Sequence, residues 1–390
     1  LTGYPKKKTW GRRAGQPDGP NAPRPPGTHE GSVGGVAVAV AGTDTPNTSR
    51  EKRVRSRPMT PDITVYWNDR MLDHEPPKGA FKFPMTPIVA APEVHPDRRE
   101  RVENVLAMLD HAFGDAAAVV SAEPASREAL ERVHDAEYLD WLVEFCADGG
   151  GGGPGRADGF CYLNNVALAA EAALAADGPA DAAAERVAIV DWDVHHGNGT
   201  QEAFYGRDDV LFVSAHNDHG SWDPEYHPQD GSIEEVGTGD GTGYTINVPL
   251  PPGTGDRGYE AVFERIVEPA VSGIDPDLVL VSAGPDAGPA DMNGRNRATR
   301  GGFRRMGSRA RGLADEVAGG ALALVQEGGY QPAHLSFATL GVFEGVRDRR
   351  IELDGFGTDD PFEFLEEPSG LVDEWIDEAV EHHRESPVFD

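Results

Sequence analysis

Residues 186–201, RVAIVDWDVHHGNGTQ, run from a short apolar stretch straight into two carboxylates, two imidazoles and two glycines. A continuously apolar run of this length predicts a strand buried on both faces, as in a parallel sheet covered by helices. Two further runs of the same kind, 210–214 and 278–282, and a third at 321–325, support that reading. Helical spacing of apolar residues appears between or beside them, at 96–113, 126–146, 259–271 and 303–317, with an Ala-rich helix from about 165 to 176. Residues 63–67 (ITVYW) read as a first strand. Strands alternating with helices predict a single α/β domain, three-layer α/β/α on a mostly parallel sheet. Sites in such sheets form beyond the carboxyl ends of the strands. Three strands run into polar groups there, at 191–196, 282–286 and 326–330, so these groups are predicted to converge.

On extended backbone alternate residues share a side, which puts Asp191, Asp193 and His195 together. Asp193 and His195 can ligate one divalent cation, and Asp286 can add a third oxygen. Three protein ligands leave a position for water, as in catalytic sites. A lone Asp-x-Asp at a strand end is ordinarily a cap or a solvated turn. The His-His-Gly-Asn-Gly that follows in register sets this one apart.

Bulk properties restrict the alternatives. The chain has 390 residues and a net charge of −31, from 66 acidic and 35 basic residues. That excess argues against direct nucleic-acid binding. It suits instead a salt-adapted, halophilic protein whose self-repulsion is screened. Only Cys146 and Cys161 are present, which fits a reducing cytoplasm rather than a disulfide framework. There is no run of 18 apolar residues, so no membrane span is predicted. Residues 1–58 hold eleven Lys and Arg against four Asp and Glu and are rich in Pro and Gly. They read as a disordered tail or as translated upstream sequence, with Met59 as the start of the folded part.

DWDVHHGNGTQ (191–201), GFCYLNNVALAA (159–170), NVPLPPGTGDRGY (247–259), LVLVSAGPDAGPAD (278–291) and QEGGY (326–330) together resemble the zinc-dependent histone deacetylase superfamily. The similarity runs from about Ile63 to Val346 and is greatest to the class II-like bacterial and archaeal branch, which includes acetylpolyamine amidohydrolases. The resemblance implies an arginase/deacetylase-like fold over 59–390. It implies an enzyme that removes acetyl groups from acetyl-lysine or acetylated polyamines with a bound Zn2+; the Asp2His donor set by itself leaves Fe2+ and Co2+ as alternatives. Asp193, His195 and Asp286 fall at the metal-ligand positions, and Tyr330 at the catalytic phenol that steadies the oxyanion. Gly159 and Phe160 match the substrate tunnel. His196 and Asn198 match residues that orient the site. Asp191, with the backbone of Asp193 and His195 and with Ser214 and Ala215, resembles a K+ site; a plain backbone hydrogen bond from Asp191 is the alternative.

Two departures stand out. The family carries a Pro-Gly-His-His element shortly before Gly-Phe-Cys; here residues 149–159 read GGGGGPGRADG, without histidine. A block appears deleted near 149–156, and with it the histidines that move the protons of hydrolysis. A non-catalytic, zinc-binding pseudo-deacetylase or acyl-lysine-binding protein is therefore the rival reading. Second, Pro285 directly precedes Asp286 and is expected to shift the third ligand, since proline restrains Gly284 to extended geometry and removes a donor. Gly288 also replaces a larger residue. His216, His219 and His227, with Trp222, fall in the loop after the 210–214 strand; the histidines read as solvated, with a place at the pocket mouth as the alternative. The acidic surface predicts that the unfolding midpoint rises with KCl; equal stability without added salt would contradict the halophilic reading.

Overall fold

The computed structural model describes residues 36–40 (backbone only), 63–73, 94–147, 161–175, 183–218, 220, 229–352 and 367–389. Its sheet has eight strands in the order β3-β2-β1-β8-β7-β4-β5-β6. They are β1 Val36–Val40, β2 Ile63–Trp67, β3 Ala117–Ser121, β4 Val187–Asp191, β5 Val210–Asn217, β6 Thr245–Leu250, β7 Leu278–Ala283 and β8 Leu322–Gln326. Pairing is parallel throughout except at β1, which runs antiparallel to both β2 and β8. The expected tail over 1–58 is thus corrected at Val36–Val40: alternation of Val and Ala suits a strand, and two neighbouring strands take up its backbone groups. The rest of 1–58, the glycine run at 149–153, and the loop residues His219, Trp222 and His227 lie outside the described residues.

β4 is buried at every position. Ala188 and Val190 face a cluster with α6 Asp256–Val262, α7 Glu268–Ile274 and α8 Arg300–Val317, while Val187 and Ile189 face α4 Asn165–Leu174 and Phe204 of α5 Asn198–Phe204. Side chains on alternate sides of one strand therefore meet helices on both, which makes the three layers. A third cluster joins Ile63, Val65 and Trp67 of β2 to Val105 and Leu109 of α1 Glu100–Phe113 and to Leu335 and Phe343 of α9 Pro332–Val346.

The predicted elements are found with local differences. The helix expected over 126–146 is two, α2 Arg127–Leu130 and α3 Ala136–Ala147. The chain turns at His134, whose Nε2 accepts the Asn164 N–H at 3.1 Å. The helix expected over 259–271 contains a π turn at Phe263–Val267, just before Pro269, which has no N–H to continue the ladder. β6 contains Pro249, tolerated because the strand pairs on one side only. α9 is buried over nearly all its length and lacks an amphipathic stripe, so no helical period announces it. In α10 Ser369–His383, Val372, Ile376 and Ala379 pack on the main cluster. None of the described helices is long and apolar enough to cross a membrane.

α8 and α9 cross almost backbone to backbone. A Cβ on Gly345 would sit 2.0 Å from the Arg304 carbonyl oxygen, and one on Gly307 2.5 Å from that of Val342. Alanine is the better helix former by about 1 kcal/mol. Gly345→Ala is nonetheless expected to lower the unfolding free energy by about 1–3 kcal/mol through overpacking. Urea denaturation measures it; a variant as stable as the parent would contradict the close crossing.

Candidate active site

Beyond Asp191 the backbone bends over 193–195, yet successive side chains still face opposite sides. Trp192 and Val194 enter the main apolar cluster. Asp193 and His195 point the other way, towards the ends of β7 and β8. Asp286 follows β7 in a short 3-10 turn, Pro285–Ala287. Ligand atoms of Asp193, His195 and Asp286 all lie within 4.8 Å of one another. His195 Nδ1 is 3.1 Å from Asp193 Oδ1 and 3.1 Å from Asp286 Oδ2. The spare oxygens are fixed by backbone: Asp286 Oδ1 accepts the Val194 N–H at 2.9 Å, and Asp193 Oδ2 accepts the Gly328 N–H at 2.8 Å.

Gly284 is extended, φ −84 and ψ 115, as Pro285 demands. The expected shift of the third ligand does not follow, because that geometry still delivers Asp286 to the other two. Glycines give the carboxylates their room. A Cβ on Gly328 would lie 2.0 Å from Asp286 Oδ2, and one on Gly284 2.0 Å from Asp193 Oδ2. The space beside Gly288 is filled by His334, whose Nε2 would sit 1.8 Å from an added Cβ.

The electrostatics fit a cation. Burial and the Asp193 charge, partly offset by His195, push the Asp286 carboxyl up to about 7. Burial opposes a charged His195, but hydrogen bonds to Asp193 and Asp286 outweigh it and raise the imidazole to about 10. Burial, with the charge of Asp193, raises Asp191 well above the usual carboxylate range. So much buried negative potential, with an O, N, O donor set, suits a divalent metal such as zinc.

Tyr330 is 6% exposed, and its ring stands edge-on to His195 at 6.3 Å. Burial, reinforced by the Asp193 charge, holds its phenol well above its ordinary value, so it stays protonated. Sequence reasoning missed Arg101, which gave no signal beyond a polar position in a helix. Its guanidinium lies 4.7 Å from the Tyr330 ring centroid and donates to the Gly329 and Glu327 carbonyls. Glu327 is partly buried, and desolvation plus the Asp193 charge, opposed by Arg101, raise its carboxyl to about 8.

Asp191 Oδ1 accepts the Asp193 N–H at 3.0 Å, and Asp191 pairs in register with Ser214, beside Ala215 on β5. His196 bridges Asp230 and Gln201 through its two ring nitrogens, at 3.2 and 3.1 Å. Asn198 opens α5 and its N–H bonds the His196 carbonyl. The solvated reading of His216 is wrong. It lies in β5, 1% exposed, between Ser214 Oγ and the Gly231 carbonyl, and packs against His196. Cys161 is exposed, whereas Gly159 and Phe160 lie outside the described residues.

A ligating imidazole must be neutral, so metal binding to this site expels the His195 proton. Affinity is expected to rise about tenfold per pH unit between pH 7 and the imidazole's value, and more steeply below pH 7 as Asp286 also titrates. Calorimetry in buffers of different ionisation enthalpy reads the released protons. Gly328→Ala should abolish binding; pH-independent affinity, or tight binding by that variant, would contradict the assignment.

The family model for the histone deacetylase domain matches residues 144–346. Histone deacetylase 8 of Arabidopsis thaliana is 37% identical over 343 residues, 74% of this chain and 88% of that protein. A histone deacetylase-like amidohydrolase of Pseudomonas aeruginosa is 34% identical over the same shares of each chain. Both alignments span more positions than the residues this chain contributes, so the relatives carry residues that it lacks. A crystal structure of the HDA15 HD domain superposes with a TM-score of 0.64 at 28% identity, covering 83% of this chain and 95% of that one. With its Asp-His-Asp triad at the strand ends, the chain belongs to the histone deacetylase family.

Proposed function

We propose that this chain is a metal-dependent deacetylase that hydrolyses the amide of acetyl-lysine or of an acetylated polyamine. The observation that carries the reading is the convergence of Asp193, His195, Asp286 and Tyr330 from three strand ends. Asp193, His195 and Asp286 hold the metal; zinc suits an O, N, O set, and Fe2+ or Co2+ is compatible with it. The bound ion would polarise the amide carbonyl and make water nucleophilic near neutral pH.

The chain's own groups do the rest. Tyr330, protonated and buried, donates a hydrogen bond to the carbonyl oxygen as negative charge develops there. Arg101 holds the loop that carries it, and its positive charge over the ring favours that same charge. Gly159 and Phe160 grip the acyl-lysine stem. Asp191, Ser214 and Ala215 bind a structural K+, in keeping with a salt-rich cytoplasm, while His196 and Asn198 brace the ligand loop. The proton relay is the weak link, since 149–159 contain no histidine. Loss of general acid–base help costs about a hundred- to ten-thousand-fold, so turnover is slow beside that of complete relatives.

Acetate release from an acetyl-lysine peptide and an N-acetylated polyamine, in high KCl with zinc, tests the reading beside Tyr330→Phe. Slow turnover that falls by about a hundredfold, to a residual but measurable rate, in the variant is expected. Folded, metal-loaded protein with no turnover above Tyr330→Phe would instead favour the non-catalytic acyl-lysine-binding protein.

A further inference from the structure

Asp291 lies five residues beyond the third ligand and is 9% exposed. Its Oδ2 accepts two successive backbone N–H groups, that of Tyr330 at 2.5 Å and that of Gln331 at 3.2 Å. Its Oδ1 accepts the Asn293 N–H at 2.8 Å. Its own N–H donates to the Gly288 carbonyl at 3.2 Å, closing the loop that starts at Asp286. We propose that Asp291 is a positioning residue that fixes the backbone from which the Tyr330 phenol projects and ties it to the loop carrying Asp286. The inference rests on the oxyanion role read for Tyr330.

Gly329 has φ +109, a conformation that favours glycine, and the direction in which the Tyr330 side chain leaves the backbone depends on how the adjoining peptides are held. One carboxylate accepting from residues 330 and 331 fixes the peptide planes on both sides of the Tyr330 Cα. What remains free is rotation about the side-chain bonds. Helix capping does not account for this carboxylate, because α9 is capped by Gln331, whose Oε1 accepts the His334 N–H. Charge-assisted bonds to a buried carboxylate are the stronger class, and a tyrosine displaced by an ångström loses its donor geometry. Since the same loop carries Asp286, metal ligand and phenol are set relative to each other and not separately.

The test is a double-mutant cycle in zinc-loaded, full-length protein, with amide hydrogen exchange as a second readout. Asp291→Ala is expected to lower kcat by about tenfold with KM within about twofold, and to do nothing further in the Tyr330→Phe background. Asp291→Asn, which keeps an acceptor oxygen without the charge, should fall between and covers the case in which Asp291→Ala does not fold. Exchange should accelerate at residues 330 and 331 while the central strands stay protected, and this arm needs no turnover. An equal loss of rate with and without Tyr330, or unchanged exchange at 330 and 331, would overturn the proposal. Tyr330→Phe as active as the parent overturns the oxyanion role itself, an outcome recognisable because the exchange result stands apart from it.

Discussion

Two carboxylates and an imidazole, with ligand atoms within 4.8 Å of one another, are the constraint around which the rest of the structure is arranged. Like charges so close cannot all ionise out of water unless a cation joins them. A protonated His195, its Nδ1 3.1 Å from both Asp193 Oδ1 and Asp286 Oδ2, is one such cation. A divalent ion answers the same demand with more charge and leaves room for chemistry. The parallel sheet makes the crowding possible, because β4, β7 and β8 all deliver their carboxyl ends to one edge.

Holding the triad requires backbone to come close. Gly284 and Gly328 flank the Asp193 carboxylate, and neither has room for a Cβ. The loop after β8 is then held from several directions. Asp193 takes the Gly328 amide, Asp291 takes those of Tyr330 and Gln331, and Arg101 takes the carbonyls of Glu327 and Gly329. Charged partners thus take five backbone groups of this loop, which holds the Tyr330 phenol more firmly than packing alone.

Much of this was legible in the sequence because the signal was local. Apolar runs of strand length led directly into the ligands, and period-two alternation put Asp193 and His195 on one side. What escaped was non-local or lacked a period. Arg101 reaches the site from a helix more than two hundred residues away in sequence. α9 is apolar on all sides, so its helical repeat is invisible. β1 looked like part of a polar tail because nothing nearby reveals the slot between β2 and β8. His216 was misread because it lies two residues past the expected end of its strand, where Ser214 and Gly231 satisfy both its ring nitrogens. Pro285 looked disruptive by rule, yet the turn it enforces is the one that brings Asp286 to the site.

The central claim is that a single divalent ion sits among Asp193, His195 and Asp286. Anomalous diffraction at the zinc edge, from crystals of zinc-loaded protein, tests it most directly. One peak in contact with those three side chains is the predicted result. A peak elsewhere, for instance beside His196, His216 and Asp230, or no peak in fully loaded protein, would contradict it.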